Sequence, residues 1–263
     1  MFTITNEKEV QLVGHVSPNT LVHGDCLEVM KYIPDNSVDL VLCDPPYGWL
    51  GTTACKWDSI IPLEPMWEQL KRIIKPNGAI ILFSQQPFTS LLVCSNVKDF
   101  RYQFVWDKGY STGFANANKM PLKKHEDICV FYKKLPTYNP QGLKEIEPKK
   151  KSRKKGGAGE VMGVNGVEGK TYYQKATNYP TTIISTKKEK VFHPTGKAVS
   201  VLEYLIKTYT QEGETVLDFT FGSCSTGVAA LNTNRRFVGV EMEEKYFDIG
   251  VKRMQESAIK GEK

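Results

Sequence analysis

The stretch that most restricts the fold is "VDLVLCDPPYGW", residues 38–49. Five of the six residues from Val38 to Cys43 are apolar, too continuous a run for a strand with one wet face, so the pattern predicts a strand covered on both sides. The run then stops at Asp44, Pro45, Pro46 and Tyr47. Prolines fix the backbone at little entropic cost, so the strand ends in a rigid tip carrying a carboxylate and an aromatic ring.

The flanking sequence alternates strand and helix. "NTLVHGD" (19–25) reads as a strand, "CLEVMKYI" (26–33) as a helix and "PDNS" (34–37) as a turn. "LEPMWEQLKRIIK" (63–75) has Leu70, Ile73 and Ile74 at helical spacing, with Pro76 and Gly78 as stop signals. Strands follow at "AIILFS" (79–84), "FRYQFVWDK" (100–108) and "DICVFYKK" (127–134). Order resumes at "HPTGKAVSVLEYLIKTYT" (193–210), where Val199, Leu202, Leu205 and Ile206 mark one helix face. "ETVLDFTFGSCSTGVAALN" (214–232) gives strand, turn and helix; "FVGVE" (237–241) is a further strand, followed by an amphipathic helix through Arg253. The expectation is an α/β fold with a mostly parallel sheet and helices on both faces.

Residues 136–190 break this pattern. They are rich in lysine and glycine, with tyrosines at 172, 173 and 179 and no sustained period, and read as an inserted loop-rich module. The net charge of +6 is also uneven: residues 101–155 hold 14 Lys and Arg against 5 acids. Such a segment either meets a polyanion, releasing condensed counterions, or is a solvated lysine loop.

In 263 residues, 40% of them apolar, the chain can bury a sizeable core. No basic segment followed by an apolar stretch opens "MFTITNEKEVQL", and no run is long enough to span a bilayer, so the expectation is a cytoplasmic protein. The six cysteines form no C-x-x-C pair, and with only four histidines the reading is reduced thiols and no metal site.

Four acids stand at strand ends: Asp25, Asp44, Asp218 and Glu241. Open α/β sheets bind ligands along that edge. After Asp218, "FGSCSTG" feeds a helix whose first amides can hold a polar or anionic group, and Glu241 can accept from both hydroxyls of a ribose. Alternatively Asp218 or Glu241 merely caps a turn. For Asp44 the chemistry is more specific. An exocyclic amino group on a base is a poor nucleophile, its lone pair being conjugated into the ring. The Asp44 carboxylate and the Pro45 carbonyl, accepting its two hydrogens, would favour a pyramidal nitrogen. Tyr47 could stack on the base, worth roughly 1–3 kcal/mol.

With these residues, "HGDCLEVMKYIPDNSVDLVLCDPPYG", "IIKPNGAIILF", "KKHEDICVFYKK", "HPTGKAV", "DFTFGSCSTGVAA" and "GVEMEEKYFDIGVKR", in that order, the chain resembles the β-group of amino DNA methyltransferases over all but residues 136–190. The resemblance implies a Rossmann-like class I methyltransferase fold with a seven-stranded sheet and a circularly permuted motif order. Residues 1–135 would be the catalytic half with Asp44, Pro45, Pro46 and Tyr47, residues 136–190 a target-recognition insertion, and residues 191–263 the cofactor-binding half. It implies S-adenosylmethionine as cofactor, held by Asp25, Cys26, Thr195, Lys197, Asp218, Phe219, Gly222, Ser223, Cys224, Ser225, Thr226 and Glu241. Double-stranded DNA would be the substrate, with Lys149, Lys150, Lys151, Arg153, Lys154 and Lys155 on its phosphates and no membrane involved. A homodimer and a restriction endonuclease partner are compatible with it.

The reaction implied is methyl transfer to adenine N6, since an aspartate opening the tetrapeptide goes mostly with adenine in this family and a serine with cytosine N4. Cytosine N4, RNA as substrate, and a DNA- and cofactor-binding homologue without turnover stay open. Two departures bear on this. The family turn reads F-x-G-S-G-T-T, whereas Cys224 and Ser225 replace its second glycine and first threonine, and "HPTGKA" stands where "HPTQKP" is usual. If that glycine needs a positive φ, Cys224 strains the loop.

Overall fold

A computed structural model describes residues 2–48, 58–152, 171–186 and 196–261. It divides into two compact units, one of residues 1–139 and 182–263, the other Pro140–Thr181.

In chain order the first unit contains β1 (Thr3–Asn6), α1 (Glu7–Val13), β2 (Thr20–His23), α2 (Cys26–Met30), β3 (Val38–Cys43), α3 (Leu63–Ile73), β4 (Ile74–Ser84), α4 (Phe88–Ser95), β5 (Phe100–Thr112) and β6 (Lys123–Phe131). The second unit contains β7 (Lys144–Ser152) and β8 (Thr171–Thr177), an antiparallel pair. The first unit resumes with β9 (Ile183–Ser185), α5 (Val199–Tyr209), β10 (Thr215–Asp218), α6 (Ser225–Asn232), β11 (Arg236–Glu241) and α7 (Glu244–Gly261).

Among the described residues, nine strands form the main sheet in the order β1-β2-β11-β10-β3-β4-β6-β5-β9. The run from β1 to β4 is parallel throughout, and β6 is antiparallel to β4 and to β5. The short β1 and β9 extend the expected seven strands by one at each edge. Strand β3 is buried along its whole length. Its Val41 and Cys43 pack with Met66, Trp67, Leu70 and Phe88 on one face, its Leu40 and Leu42 with Leu202, Leu205 and Val228 on the other. Burying each such leucine contributes about 1.5–3 kcal/mol, so β3 is the centre of a three-layer sandwich. The acid in the run, Asp39, pairs with Lys75 at 2.6 Å and accepts from the Thr215 amide at 2.9 Å.

Some expectations need correction. Helix α3 ends at Ile73, two residues short of the expected 75, because Ile74 turns extended and pairs with Val38 while Lys75, preceding Pro76, is steered out of helical space. Residues 136–190 are not all loop: β7 and β8 pair, and β9 joins the main sheet beside β5. Hydrophobic periodicity does not reveal β7 and β8 because the ribbon is largely exposed, with adjacent tyrosines at 172 and 173 and no alternating apolar face. Helix α4 and the β1–α1 start had no strong sequence signal; α1 is capped by the Asn6 side chain, which accepts from the Glu9 amide at 3.1 Å. No helix among the described residues is long and apolar enough to cross a membrane.

Candidate active site

The four acids stand side by side. Asp25 follows β2, Glu241 ends β11, Asp218 ends β10 and Asp44 follows β3, and these four parallel strands are neighbours in that order, so their carboxyl ends share one edge. Between β10 and β3 the strand order reverses, the position where open α/β sheets form their ligand crevice.

At this switch point the two motifs touch. Thr220 donates its hydroxyl to the Asp44 carbonyl at 3.1 Å and lies 3.0 Å from the Cys43 sulfur. Counting back two from Gly222, Thr220 holds the position of the phenylalanine in the family turn. Phe219, expected near the cofactor, is wholly buried in the apolar core and offers the turn only its main chain.

The tip after β3 is held from several sides. Pro45 is buried and Pro46 half-buried. Buried Asp58 accepts from the amides of Tyr47 at 3.1 Å and Gly48 at 3.0 Å. Gly48 sits at φ +70°, and a Cβ there would come within 2.7 Å of Ile60. The Tyr47 ring stacks on Phe88, centroids 5.4 Å apart, and its hydroxyl donates to Asp44 Oδ1 at 2.5 Å. Lys197 donates to Asp44 Oδ2 and lies 3.3 Å from Glu126, which pairs in turn with Lys108 at 3.1 Å. The Lys197 ammonium thus reaches the Asp44 side of the crevice, and the four side chains alternate in charge.

The network sets the ionisation of each member. Burial raises the Asp44 pKa and Glu126 adds to it, while Lys197 opposes. Burial would depress the Lys197 ammonium, but Asp44 and Glu126 outweigh it and hold its pKa above the ordinary lysine value. Burial likewise favours a neutral Glu126, yet Lys197 and Lys108 bring its pKa below the usual range. Burial and Asp218 push the Cys43 thiol well up, so it is a neutral core group.

On the other side of the crevice the glycine turn presents main chain. Gly222 has φ +53°, and no atom lies within 4 Å of where its Cβ would stand, so its backbone is open to an approaching group. Its amide donates to Glu241 Oε2 at 2.8 Å, and Glu241 Oε1 accepts from the Glu243 amide at 2.9 Å. Cys224 is at φ 59°, ψ 39°, so the position does need the left-handed region and a cysteine there is strained. Its side chain is buried, and burial followed by Asp218 raises the thiol pKa. Ser223, Ser225 and Thr226 are buried too; Arg253 bonds both the Ser223 carbonyl, at 3.0 Å, and the Ser225 hydroxyl, at 2.9 Å. Burial lifts Asp218 to about 6 against hydrogen bonds from Thr226, Cys43 and Thr220. Asp25 is exposed and caps α2 through Leu27 at 2.7 Å, while the buried Cys26 thiol is pushed up to about 12, first by burial and then by Asp25. Open main chain rimmed by carboxylates fits a polar nucleoside group. Thr195 lies outside the described residues.

Glu126, Lys108, Asp58, Thr220 and Arg253 were not singled out from sequence. Two of them carried a signal: Glu126, as an acid inside the apolar-strand motif "KKHEDICVFYKK", and Thr220, as the residue standing in place of the family turn's phenylalanine.

A family model described as DNA methylase matches residues 38–252, from the first residue of β3 into α7. The chain belongs to this DNA methylase family. It is a DNA methyltransferase of the N6/N4 type. Among its relatives are the type II methyltransferase M.HinfI of Haemophilus influenzae, 28% identical over 270 residues (90% of this chain, 68% of the relative), and the DNA adenine methyltransferase YhdJ of Escherichia coli (strain K12), 27% identical over 251 residues (89% and 82%). The fold is that of the PvuII DNA methyltransferase, a cytosine-N4-specific protein (TM-score 0.62, 14% identity, 92% of each chain covered). It is also that of the M1.HpyAVI–SAM complex (TM-score 0.59, 23% identity, 89% of this chain and 98% of that one).

In the second unit of this methylase, Lys149, Lys150 and Lys151 are exposed on β7, opposite Gln174, Tyr173 and Tyr172 of β8. Arg153, Lys154 and Lys155 lie outside the described residues.

Proposed function

We propose that this chain transfers a methyl group from S-adenosylmethionine to the exocyclic N6 of an adenine turned out of double-stranded DNA. The observation that carries this reading is the hydrogen bond from Thr220 to the Asp44 carbonyl, which joins the open glycine turn to the acceptor tip across 176 positions of the chain. Bound S-adenosylmethionine supplies an electrophilic methyl on its sulfonium. Gly222 and the first amides of α6 would hold its polar groups, and Glu241 and Asp25 would accept from its hydroxyls and amine.

Asp44 and the Pro45 carbonyl would then act as the two acceptors on the adenine amino group, freeing its lone pair toward the methyl. As the nitrogen–carbon bond forms the methyl–sulfur bond breaks, the sulfur leaves as a neutral thioether and one N6 proton is lost to solvent. Each Asp44 oxygen already has one donor, Tyr47 or Lys197, and keeps a second lone pair for the substrate. Tyr47 offers an aromatic face to the base. An aspartate at this position goes mostly with adenine in the family, and YhdJ is named as an adenine methyltransferase. The β7–β8 unit, with Lys149, Lys150 and Lys151, is the DNA-reading insertion in this proposal; Arg153, Lys154 and Lys155 continue the same basic run.

The test is expression in a methylation-free host, single-molecule sequencing of its DNA, and transfer of labelled methyl groups in vitro. N6-methyladenine in one short motif is expected. Asp44→Ala should lower kcat by about 10²–10³-fold, the scale of removing one preorganised electrostatic interaction, with cofactor affinity little changed. N4-methylcytosine would move the target to cytosine. Label entering RNA alone would replace the substrate, and cofactor binding without transfer would end the enzyme reading.

A further inference from the structure

The β5–β6 hairpin ends in a tip that the catalytic reading leaves unused. Strand β6 is antiparallel to β4, and Asp127 pairs with Ser84, the last residue of β4, so the chain before Lys123 projects past the sheet edge that Asp44 occupies. The base of the hairpin is tied to that site: Lys108 of β5 pairs with Glu126 of β6, Glu126 with Lys197, and Lys197 with Asp44.

The tip itself has built structure. Gly113 turns the chain at φ +90°, and a short 3-10 turn, Phe114–Asn116, follows. Asn116 donates to the Gly113 carbonyl at 2.9 Å and Ala117 to Phe114 at 3.1 Å; Lys119 and Met120 both donate to Asn116, at 2.9 and 3.0 Å. Every residue from 113 to 121 is exposed, yet two are large and apolar: Phe114 is 69% exposed and Met120 54%. Residues 108–125 contain four lysines and no acid.

One exposed apolar side chain needs no explanation. Two on one hydrogen-bonded tip, within a stretch of purely positive charge, suit a partner that is anionic outside and apolar within. Duplex DNA has that arrangement: phosphates carry the charge, and the faces of its base pairs accept an apolar wedge once a step is opened. A base must leave its stack to reach Tyr47, and a wedge at the vacated step opposes its return.

We propose that the tip around Phe114 and Met120 contacts duplex DNA beside the target base and holds the step open while the base occupies the site; this rests on the methyltransferase reading above. The test compares two duplexes containing the motif found by sequencing, one with the target base paired and one with it opposite an abasic site. The double variant Phe114→Ala, Met120→Ala should lose at least about tenfold in transfer rate on the paired duplex, the scale of one missing stacking interaction, and stay within about twofold of the native protein on the unpaired one. Phe114→Leu, which keeps an apolar side chain, should lose less. Unchanged melting temperature and S-adenosylmethionine affinity certify that the variants fold. Equal loss on both duplexes, or no loss on the paired one, overturns the wedge. So does selective loss of binding to anionic lipid vesicles with transfer intact, which would assign the tip to a membrane surface. A native protein that transfers to neither duplex ends the methyltransferase reading itself, and the wedge falls with it.

Discussion

Lys197 donates to the carboxylate of Asp44 across 153 positions of chain, and Glu126 holds the same ammonium from its other side. Because Lys197 stabilises the ionised Asp44 and Glu126 opposes it, the two neighbours should move the acid limb of the pH–rate profile in opposite directions. Lys197→Met leaves two carboxylates facing each other; the limb should shift to higher pH, and kcat at pH 7 should fall by about tenfold for each unit that the Asp44 pKa overtakes it. Glu126→Gln should move the limb to lower pH. Measuring kcat from pH 5 to 9 checks both, and a shift of the same sign in the two variants would contradict the network.

Cys224 occupies a left-handed position at a modest cost, about 1–2 kcal/mol for a residue with a Cβ, and its buried side chain packs close to Gly227 and Gly250. In Cys224→Gly the relief of strain and the loss of packing nearly offset each other, so stability should change by less than about 1 kcal/mol. Cofactor affinity should hold or rise. Cys224→Val, with a branched side chain at that φ, should destabilise by at least about 2 kcal/mol. Denaturant melts and cofactor titration of the three proteins decide this.

The strand-tip acids could be read from sequence because each apolar run stops at one, and parallel strands bring such stops to a common edge. The need for a positive φ at Cys224 was readable from the glycine it replaces. Other features depended on interactions between distant segments. Lys197 was assigned to the cofactor pocket by position, and nothing local to "HPTGK" shows that its ammonium reaches Asp44 and Glu126. Phe219 was assigned to the cofactor pocket by position, and nothing local shows that its ring, next to a buried strand end, lies in the apolar core while the Thr220 hydroxyl reaches the Asp44 carbonyl. Strands β7 and β8 carry no apolar alternation, so hydrophobic periodicity could not find them.

Asp218 gives a pH signature in stability. Its carboxyl is lifted to about 6 by burial, from an ordinary value of 3.8, so the folded protein binds its proton more tightly than the unfolded chain does. The resulting stability is fully present below about pH 4 and is lost as pH rises through 6. At about 1.4 kcal/mol per unit, the shift corresponds to about 3 kcal/mol. Asp218→Asn cannot titrate, so between pH 4 and 8 its stability should rise relative to the native protein by about that amount. Hydrogen bonds lost to the amide would add an offset without changing this slope. Urea melts at the two pH values measure the difference, and parallel pH dependence would show that Asp218 is not raised.

On β7, successive side chains alternate faces, so Lys149 and Lys151 share one face with Gln174 and Tyr172, while Lys150 and Tyr173 share the other. A two-stranded ribbon can lay only one face along a DNA backbone at a time. Each face carries a lysine pair, because Lys175 of β8 lies two residues from Tyr173 and shares its face with Lys150. Replacing the pair that meets the backbone with glutamine, either Lys149 and Lys151 or Lys150 and Lys175, should therefore lower the slope of log affinity against log salt by about 2, near 0.9 for each phosphate no longer neutralised, while replacing the other pair leaves the slope within error. Because counterion release is independent of sequence, the weakening should be equal for cognate and mixed-sequence duplexes. Fluorescence anisotropy between 50 and 200 mM salt measures the slopes. Equal effects from the two pairs would mean that the ribbon meets DNA edge-on, and no effect from either would make the run a solvated surface.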